Sequence, residues 1–282
     1  MALPSSGTLT IADIAGEFGG SAPHALSEYY RGGSLVPNVS QNNGVPTSGA
    51  ISISDFYGAT NYVPLSILGS TTWVTGNTSS TTSSQSVSIP AGTKSIVIMG
   101  GLGTNGYRHT RHTGASLGGV ALTEVISKNN ALAEYTFDSA IYAGNTSLTG
   151  TQTAAMTYTN GQQVYGSGHV IIFLSKPFNS TTASSSDSET TTSSSSSLSL
   201  TKFGEGLQLG TATVNSLTNM TNMSTLKKLT QGDGRNSIHG FQISSGSYNV
   251  SGGLTTTAST LRNDFGETFA AATFAPTKFD EV

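Results

Sequence analysis

The chain has 282 residues, no cysteine, and 12 basic against 15 acidic side chains, for a formal net charge of −3. This charge lacks the basic excess of proteins that bind nucleic acid or anionic lipid, and the absence of cysteine excludes disulfides, thiolate catalysis and zinc–sulfur sites. No stretch approaches the roughly 20 apolar residues of a membrane span, and residues 1–5 lack the basic start of a signal peptide. We therefore expect neither a nucleic-acid nor a membrane partner.

The first 60 residues contain two copies of one short segment. Residues 3–14 (LPSSGTLTIADI) return as residues 45–56 (VPTSGAISISDF), each with an apolar residue, Pro, Ser or Thr, Ser and Gly, then an alternating run and an Asp. Between them, residues 21–33 begin with Ser21 and Pro23 and end in glycines, which predicts a short capped helix. Because neither copy can bury its apolar face alone, residues 1–60 are predicted to form a small α+β module with one shared core.

The sequence of this module resembles the N-terminal module of structural proteins from tailed bacteriophages, especially phages of marine bacteria. The resemblance rests on residues 1–7, 27–33 and 51–58 and covers about a fifth of the chain. It implies a virion protein, either a tail fibre, a neck or tail appendage or a capsid decoration protein, made in the host cytoplasm and docked on capsid, neck or tail proteins. It implies no catalytic residue.

The low charge and the apolar module favour self-association, and we expect a trimer or a dimer on the particle. The residues expected to anchor the module or form its interface are apolar or aromatic: Ile11, Ile14, Phe18, Tyr29, Tyr30, Ile53, Phe56 and Tyr57.

After Gly58 the pattern changes to short strands separated by Gly, Asn and Ser. Residues 64–69 and 85–90 alternate like half-buried strands, whereas residues 95–99 and 168–174 are continuous apolar runs typical of central strands. The chain is therefore predicted to be mainly β, with an antiparallel, jelly-roll-like β-sandwich over residues 62–282. The Ser- and Thr-rich residues 180–199 leave a second interpretation open, in which they link two domains.

Two enzyme-like motifs are interpreted as chance matches. Gly101-x-Gly103-x-x-Gly106 follows an apolar strand, but no helical pattern comes after it to present N–H groups to a pyrophosphate. Residues 114–118 (GASLG) match the nucleophile elbow of α/β hydrolases, yet a polar loop precedes Ser116 and a strand follows it.

A dense cationic group spans residues 107–112. We interpret it as an exposed loop between strands, and the alternatives are contact with an anion, a protein partner or a host surface glycan, or binding of a metal. If the protein has a ligand, its site is expected in this loop, at Tyr107, Arg108, His109, Arg111 and His112.

The remaining polar and aromatic residues indicate packing rather than catalysis. Trp73 is interpreted as a core or interface residue, and His24, His169 and His239 as packing residues. The carboxylates form no recognisable glycosidase pair: Asp138, Asp187, Glu189, Glu205, Asp264 and Glu267.

We therefore expect no catalytic residue, no metal site, no cofactor and no enzyme activity. The expected function is a virion structural protein that docks through residues 1–60 and displays the β-sandwich. A carbohydrate-binding adhesin that recognises a receptor is the main alternative, and a glycan depolymerase is a third.

Overall fold

The structure is a computed structural model of the whole chain, and internal contacts divide it into two units. The residues described are 2–62, 65–75, 80–105, 110–131, 135–159, 164–178, 190–191, 195–201, 207–214, 217–220, 224–231, 236–242, 253–260 and 267–274. One unit comprises Met1–Pro64 with Pro276–Val282, and the other, here called the β unit, comprises Leu65–Ala275.

The N-terminal module contains short helices in place of the alternating runs. The first copy of the repeat leads into α1 (Ile11–Phe18), and the others are 3-10 helices at Leu26–Glu28, Ser40–Asn42 and Ile53–Phe56. The repeated aspartate explains these helix starts. Asp13 accepts a hydrogen bond from the backbone N–H of Thr10 at 2.8 Å, and Asp55 accepts one from that of Ser52, also at 2.8 Å. Each Asp thus closes a capping box, which satisfies N–H groups that the first helical turn leaves unpaired.

The prediction of a helix over residues 21–33 is wrong. Only Leu26–Glu28 forms a 3-10 turn, and Ala25 at its N-cap provides no side-chain acceptor. A helix this short does not offset the cost of nucleation without a cap or strong packing. Tyr29, the next residue, is instead fully buried in the module core.

The two copies share one apolar cluster, as predicted. Ile14, Phe18 and Phe56 are buried in this cluster, and Ile11 and Ile53 pack against it. The ring of Phe56 contacts those of Phe18 and Tyr29 edge to face, with centroids 6.2 and 6.3 Å apart. Because residues from both copies bury one another, neither copy has a core of its own.

The regular elements described in the β unit are all strands. They are β1 (Ile67–Thr75), β2 (Thr82–Ile89), β3 (Ser95–Asn105), β4 (His112–Leu117), β5 (Val120–Ala121), β6 (Thr123–Ala131), β7 (Tyr135–Asn145), β8 (Gly150–Tyr158), β9 (Val164–Leu174), β10 (Thr190–Thr191), β11 (Ser195–Thr201), β12 (Leu207–Val214), β13 (Leu217–Met220), β14 (Ser224–Gln231), β15 (Asn236–Gln242), β16 (Gly253–Thr260) and β17 (Glu267–Phe274).

The first nine strands form a jelly roll. One antiparallel sheet has the order β1-β9-β3-β7-β6, and the facing sheet has the order β2-β8-β4-β5. Without β6, these are the two four-stranded sheets of a jelly roll, and β6 is an added edge strand beside β7. The predicted antiparallel β-sandwich is therefore confirmed. The later strands form two further sheets, β10-β17-β12-β15-β14 and β11-β16-β13.

The sheet β1-β9-β3-β7-β6, here called the central sheet, is buried on both faces at its middle strands, β9, β3 and β7. In β3, Ile96 and Ile98 pack against the sheet β2-β8-β4-β5, whereas Val97 and Met99 belong to a second cluster with residues of β12 and β17. Successive side chains of a strand point to opposite faces. Burial of both faces therefore explains why β3 and β9 appear in the sequence as continuous apolar runs.

Candidate functional site

The predicted anchor residues fall into two groups. The first group is buried and holds the module together: Ile14, Phe18, Tyr29 and Phe56. The second group is partly exposed and includes Ile11, Tyr30 and Ile53. Tyr57 is the most accessible of all, with 38% of its surface exposed. In this state only the second group can contact a partner.

The first Pro-Ser/Thr-Ser-Gly loop is fixed by residues that follow the last 3-10 helix. The hydroxyl of Tyr57 donates a hydrogen bond to the carbonyl of Gly7. The N–H of the next residue, Gly58, donates to the carbonyl of Pro4 at 3.0 Å. Gly7 has a φ of 97°, which a residue with a side chain rarely adopts. The loop is thus held at both of its ends.

The second loop is held in the same way by a different segment. The hydroxyl of Tyr30 donates to the carbonyl of Gly49 at 2.5 Å, and the N–H of Arg31 donates to the carbonyl of Pro46 at 3.0 Å. Each loop therefore has one tyrosine hydroxyl on its glycine and one N–H, from the residue after that tyrosine, on its proline.

A second, shorter repeat accounts for this equivalence. Residues 26–30 (LSEYY) match residues 53–57 (ISDFY) position by position in residue type. This shorter repeat could have indicated that Tyr30 and Tyr57 are equivalent. The longer repeat obscures that equivalence, because it aligns residue 57 with Ala15. The module thus contains two similar loops, each held by a tyrosine hydroxyl.

The predicted ligand loop is only partly described. Tyr107, Arg108 and His109 lie outside the described residues, and Arg111 is exposed just before β4. His112 is the first residue of β4 and is only 2% exposed, so its prediction as part of an exposed ligand loop is wrong.

The reason is a buried carboxylate on another strand. Asp138 of β7 accepts a hydrogen bond from the backbone N–H of His112 at 3.0 Å and contacts its ring Nδ1. This contact holds the imidazole inside the sandwich. Because 25 residues separate the two in sequence, no local pattern indicates the pair.

A polar cluster surrounds this pair in the interior of the jelly roll, and we call it the buried histidine cluster. Its members are Trp73, Ser83, His112, Asp138, Tyr158, Ser167 and His169. The hydroxyl of Tyr158 lies 2.9 Å from that of Ser167 and 3.1 Å from Nε2 of His169. Trp73 stacks on His169 with ring centroids 4.8 Å apart. The interpretation of Trp73 and His169 as packing residues is confirmed.

The electrostatics of the cluster favour neutral side chains. Burial, together with repulsion from His112, holds the pKa of His169 well below its ordinary value of 6.5. Burial also raises the pKa of Tyr158 to about 12. Both residues are therefore uncharged at neutral pH.

Gly100 of β3 makes room for the two imidazoles. A Cβ at this position would lie 2.7 Å from Cε of Met156, 2.8 Å from Nε2 of His112 and 2.9 Å from Cδ2 of His169. Real Cβ atoms do not approach other atoms so closely, so any larger residue here would force the surrounding side chains to shift.

The His112–Asp138 pair has the arrangement that orients a catalytic histidine, but the jelly roll encloses it. Both side chains are at most 2% exposed, so no substrate reaches them in this state. Within the described ranges, no group of three or more His, Cys, Asp or Glu is arranged to hold a metal ion. The cluster therefore acts by joining β1, β2, β4, β7, β8 and β9 inside the sandwich.

The two enzyme-like motifs lie on strands. Gly101 and Gly103 are within β3, and Ser116 is within β4, while Gly106 is outside the described residues. A pyrophosphate site needs a helix to begin at the loop, and a nucleophile elbow needs a helix after the serine. Among the described residues that flank these motifs, no helix begins.

A cavity of about 240 Å³ lies where β4, β5 and the ends of β3 and β7 meet. Its lining contains no charged side chain: Ile96, Leu117, Val120, Ala121, Leu122, Thr123, Ala143, Gly144, Asn145, Thr146 and Leu148. Such a cavity accommodates a small apolar group, and it lacks the convergent polar groups that would fix a specific ligand.

No family model, curated protein or solved structure matches the chain. Among the described residues, no helix has the length and apolar character needed to cross a bilayer.

Proposed function

We propose that the chain is a bacteriophage virion structural protein that docks through its N-terminal module and displays the β unit. The observation that carries this proposal is the construction of residues 1–60. The segment that resembles phage virion proteins is a compact unit with its own core and two equivalently clamped loops. Jelly rolls are also a common architecture of viral capsid and lectin domains, which is compatible with a virion role.

The docking surface is assigned to the exposed tyrosine side of the module. Tyr57 and Tyr30 combine an apolar ring with a hydroxyl bound to a loop carbonyl. Their side chains are ordered before a partner arrives, so that association immobilises little more of the chain. Tyrosine is enriched at interfaces for the same combination of apolar area and polar tip.

The proposal includes the absence of catalysis. The strongly perturbed titratable groups of the described chain, Tyr142, Tyr158 and His169, are all buried inside the jelly roll, whereas a catalytic site needs such groups at a concave, accessible surface. Release of glycan fragments from host envelopes by the purified protein would contradict this part of the proposal.

Deletion of residues 1–60 tests the docking role. Particles assembled with the truncated protein should lack it, whereas the remaining fragment should keep the far-ultraviolet circular dichroism and cooperative melting of a folded β protein. Replacement of Ile141 by Ala in the full chain serves as a matched control, since it weakens the β unit and leaves the module unchanged. Incorporation of the truncated protein at the normal level would refute the proposal.

Recognition of a host glycan is the second candidate function, and the exposure of Arg111 favours it. Arginine forms bidentate contacts with carboxylates of acidic sugars and stacks on aromatic rings. The variant Arg108→Ser/His109→Ser/Arg111→Ser retains the buried His112 and should still fold. A large loss of host adsorption with normal incorporation would support recognition, whereas unchanged adsorption would leave only the docking role.

We also propose that the protein is a trimer or a dimer on the particle, because an appendage follows the symmetry of its attachment site. Multi-angle light scattering and the copy number on purified particles test this. Monomers in solution together with isolated single copies on the particle would contradict it.

A further inference from the structure

The strands after residue 189 repeat the order of those before it. In β10-β17-β12-β15-β14, each strand occupies the place of its counterpart in β1-β9-β3-β7-β6. The sheet β11-β16-β13 corresponds in the same way to β2-β8-β4. The two-residue strand β5 has no described counterpart, and only residues 221–223 separate β13 from β14.

The correspondence includes a strand that a jelly roll does not require. An eight-stranded jelly roll has no strand at the position of β6, yet both halves add one there, as β6 beside β7 and β14 beside β15. An extra strand at the same position in both halves is stronger evidence that they are copies than a shared fold alone.

The irregularities of the ladders also coincide. The pairing of β6 with β7 slips between Glu124 and Ile126, and that of β14 with β15 slips between Thr225 and Lys227. In both cases the slip lies between the second and the fourth residue of the strand. The strands β4 and β13 share another slip, between the first and the third residue of each. Bulges are specific local features, so this agreement points to copies of one structure.

The two halves pack through equivalent sheets, and the contacts are reciprocal. β3 contacts β12, its own counterpart, and each of the other main pairings between the halves occurs twice with the roles exchanged. The contacts of β7 with β12 and β17 are matched by those of β15, the counterpart of β7, with β3 and β9. The contacts of β6 with β17 and β10 are matched by those of β14, the counterpart of β6, with β9 and β1. Such exchange is the mark of an isologous, two-fold interface.

We infer that residues 65–178 and 190–274 are two copies of one jelly-roll unit, packed about a local two-fold axis as a dimer within one chain. The outer face of the central sheet is thus an interaction surface whose partner is a second jelly roll of the same topology, supplied by the chain itself. The apolar cluster with Val97 and Met99 on one side and Leu209 and Ala272 on the other is the core of this internal interface.

The register predicts which residues face one another across the axis. In the first copy, Gly101 pairs with Ser139 on one side and Gly168 on the other. The equivalent residue of the second copy is Thr213, which pairs with Ile238 and Thr268. The hydroxyls of Ser139 and Thr268 lie 2.8 Å apart. The two-fold relation therefore requires the reciprocal positions, 168 and 238, to be neighbours as well.

Disulfide formation tests this relation, because the natural chain has no cysteine. The full chain would carry a specific protease site in place of residues 183–186, so that an oxidised pair keeps the halves in one band on a denaturing, non-reducing gel after cleavage. Ser139→Cys with Thr268→Cys and Gly168→Cys with Ile238→Cys are the reciprocal pairs. The crossed pairs, Gly168→Cys with Thr268→Cys and Ser139→Cys with Ile238→Cys, are matched controls from the same four positions.

Both reciprocal pairs should cross-link, at least about tenfold more than either crossed pair, since a disulfide needs Cα atoms within about 7 Å. The two positions of a crossed pair are equivalent residues of the two copies, so they lie on opposite sides of the two-fold axis. Cross-linking of the first reciprocal pair alone, or equal cross-linking of crossed pairs, would overturn the two-fold relation. Failure of the first pair would overturn the packing of the sheets.

If the cysteine variants do not fold, gel filtration of the cysteine-free protein tests the same inference. The cleaved parent protein should elute from gel filtration as one species that contains both halves, because the apolar cluster between them persists. Elution of separate halves without denaturant would overturn the internal dimer.

Discussion

The two faces of the central sheet are built from the same strands but have different chemistry. The inner face, towards β2-β8-β4-β5, combines apolar side chains with the buried histidine cluster. The outer face, towards β12 and β17, is largely apolar, although the hydroxyls of Ser139 and Thr268 contact each other there. Alternation along the strand separates the two environments, so that adjacent residues such as Ile98 and Met99 have different neighbours.

The two faces therefore specify structure in different ways. A buried polar network is stable only when each partner is in place, so it selects one arrangement of the strands around it. An apolar interface depends mainly on volume and tolerates substitution by side chains of similar size. We therefore expect substitutions on the inner face to be more severe and less easily rescued.

The largest effect is expected at Asp138. Asp138→Ala removes the acceptor for the backbone N–H and ring of His112 and leaves buried polar groups unpaired, which should lower the free energy of unfolding by about 3 kcal/mol. Urea unfolding followed by tryptophan fluorescence reports this directly, because Trp73 belongs to the same cluster. Asp138→Asn keeps one oxygen acceptor and should lose less. A loss below about 1 kcal/mol for the alanine variant would refute the importance of the pair.

The outer face should respond to volume rather than to chemical identity. Met99→Ala should cost about 2–3 kcal/mol through the cavity it leaves, whereas Met99→Leu should cost less than about 1.5 kcal/mol. The measurement is again the free energy of unfolding. Equal losses for the two variants would show that the outer face is as specific as the inner one.

An added methyl group on the inner face of β3 should also be destabilising. Gly100→Ala places a Cβ against both imidazoles and should cost about 2 kcal/mol, since the surrounding side chains must shift. Gly16→Ala is the matched control, because that position in α1 has open space and an ordinary backbone conformation. It should stabilise the helix by about 0.5–1 kcal/mol. Calorimetric melting that shows no loss for Gly100→Ala would exclude the close packing described here.

The pH dependence of stability also distinguishes the two faces, because only the inner face contains histidine among the described residues of the central sheet. The pKa of His169 is lowered in the folded state, so the unfolded state binds a proton first as the pH falls below about 6.5. This contribution to stability is complete above that pH and declines below it, by about 1 kcal/mol for the first pH unit. His169→Gln should flatten this part of the profile relative to the natural protein. An unchanged slope between pH 6.5 and 5.5 in urea titrations would contradict the burial of a neutral imidazole.

The smallest effect lies outside the β unit. Thr10→Ala removes one half of the capping box of α1 and should cost about 1 kcal/mol or less. Hydrogen exchange followed by mass spectrometry should show faster exchange in α1 and unchanged protection in β3 and β9. Altered protection in those strands would mean that the two units do not respond independently.

Much of the fold could be predicted from residue patterns, since these report burial. The continuous apolar runs at 95–99 and 168–174 predicted central strands, and the repeat predicted the shared core around Ile14 and Phe56. The capping boxes were also present in the sequence, as Thr10-x-x-Asp13 and Ser52-x-x-Asp55, although the alternation of these runs hid them.

The remaining features depend on contacts between distant residues. His112 appeared exposed beside two arginines because Asp138, its partner, is on another strand. The internal dimer is equally hidden, since Leu209 corresponds to Val97 and Ala272 to Ile172 by register but not by identity. Two copies of one topology with different side chains leave little repeat in the sequence.

Electron cryo-microscopy of the intact phage particle would test both the docking role and the internal dimer. We expect density for two packed jelly rolls at each copy of the protein, attached to the capsid, neck or tail through the small N-terminal module. Particles that contain no such density, from lysates in which the folded protein is abundant, would contradict this expectation.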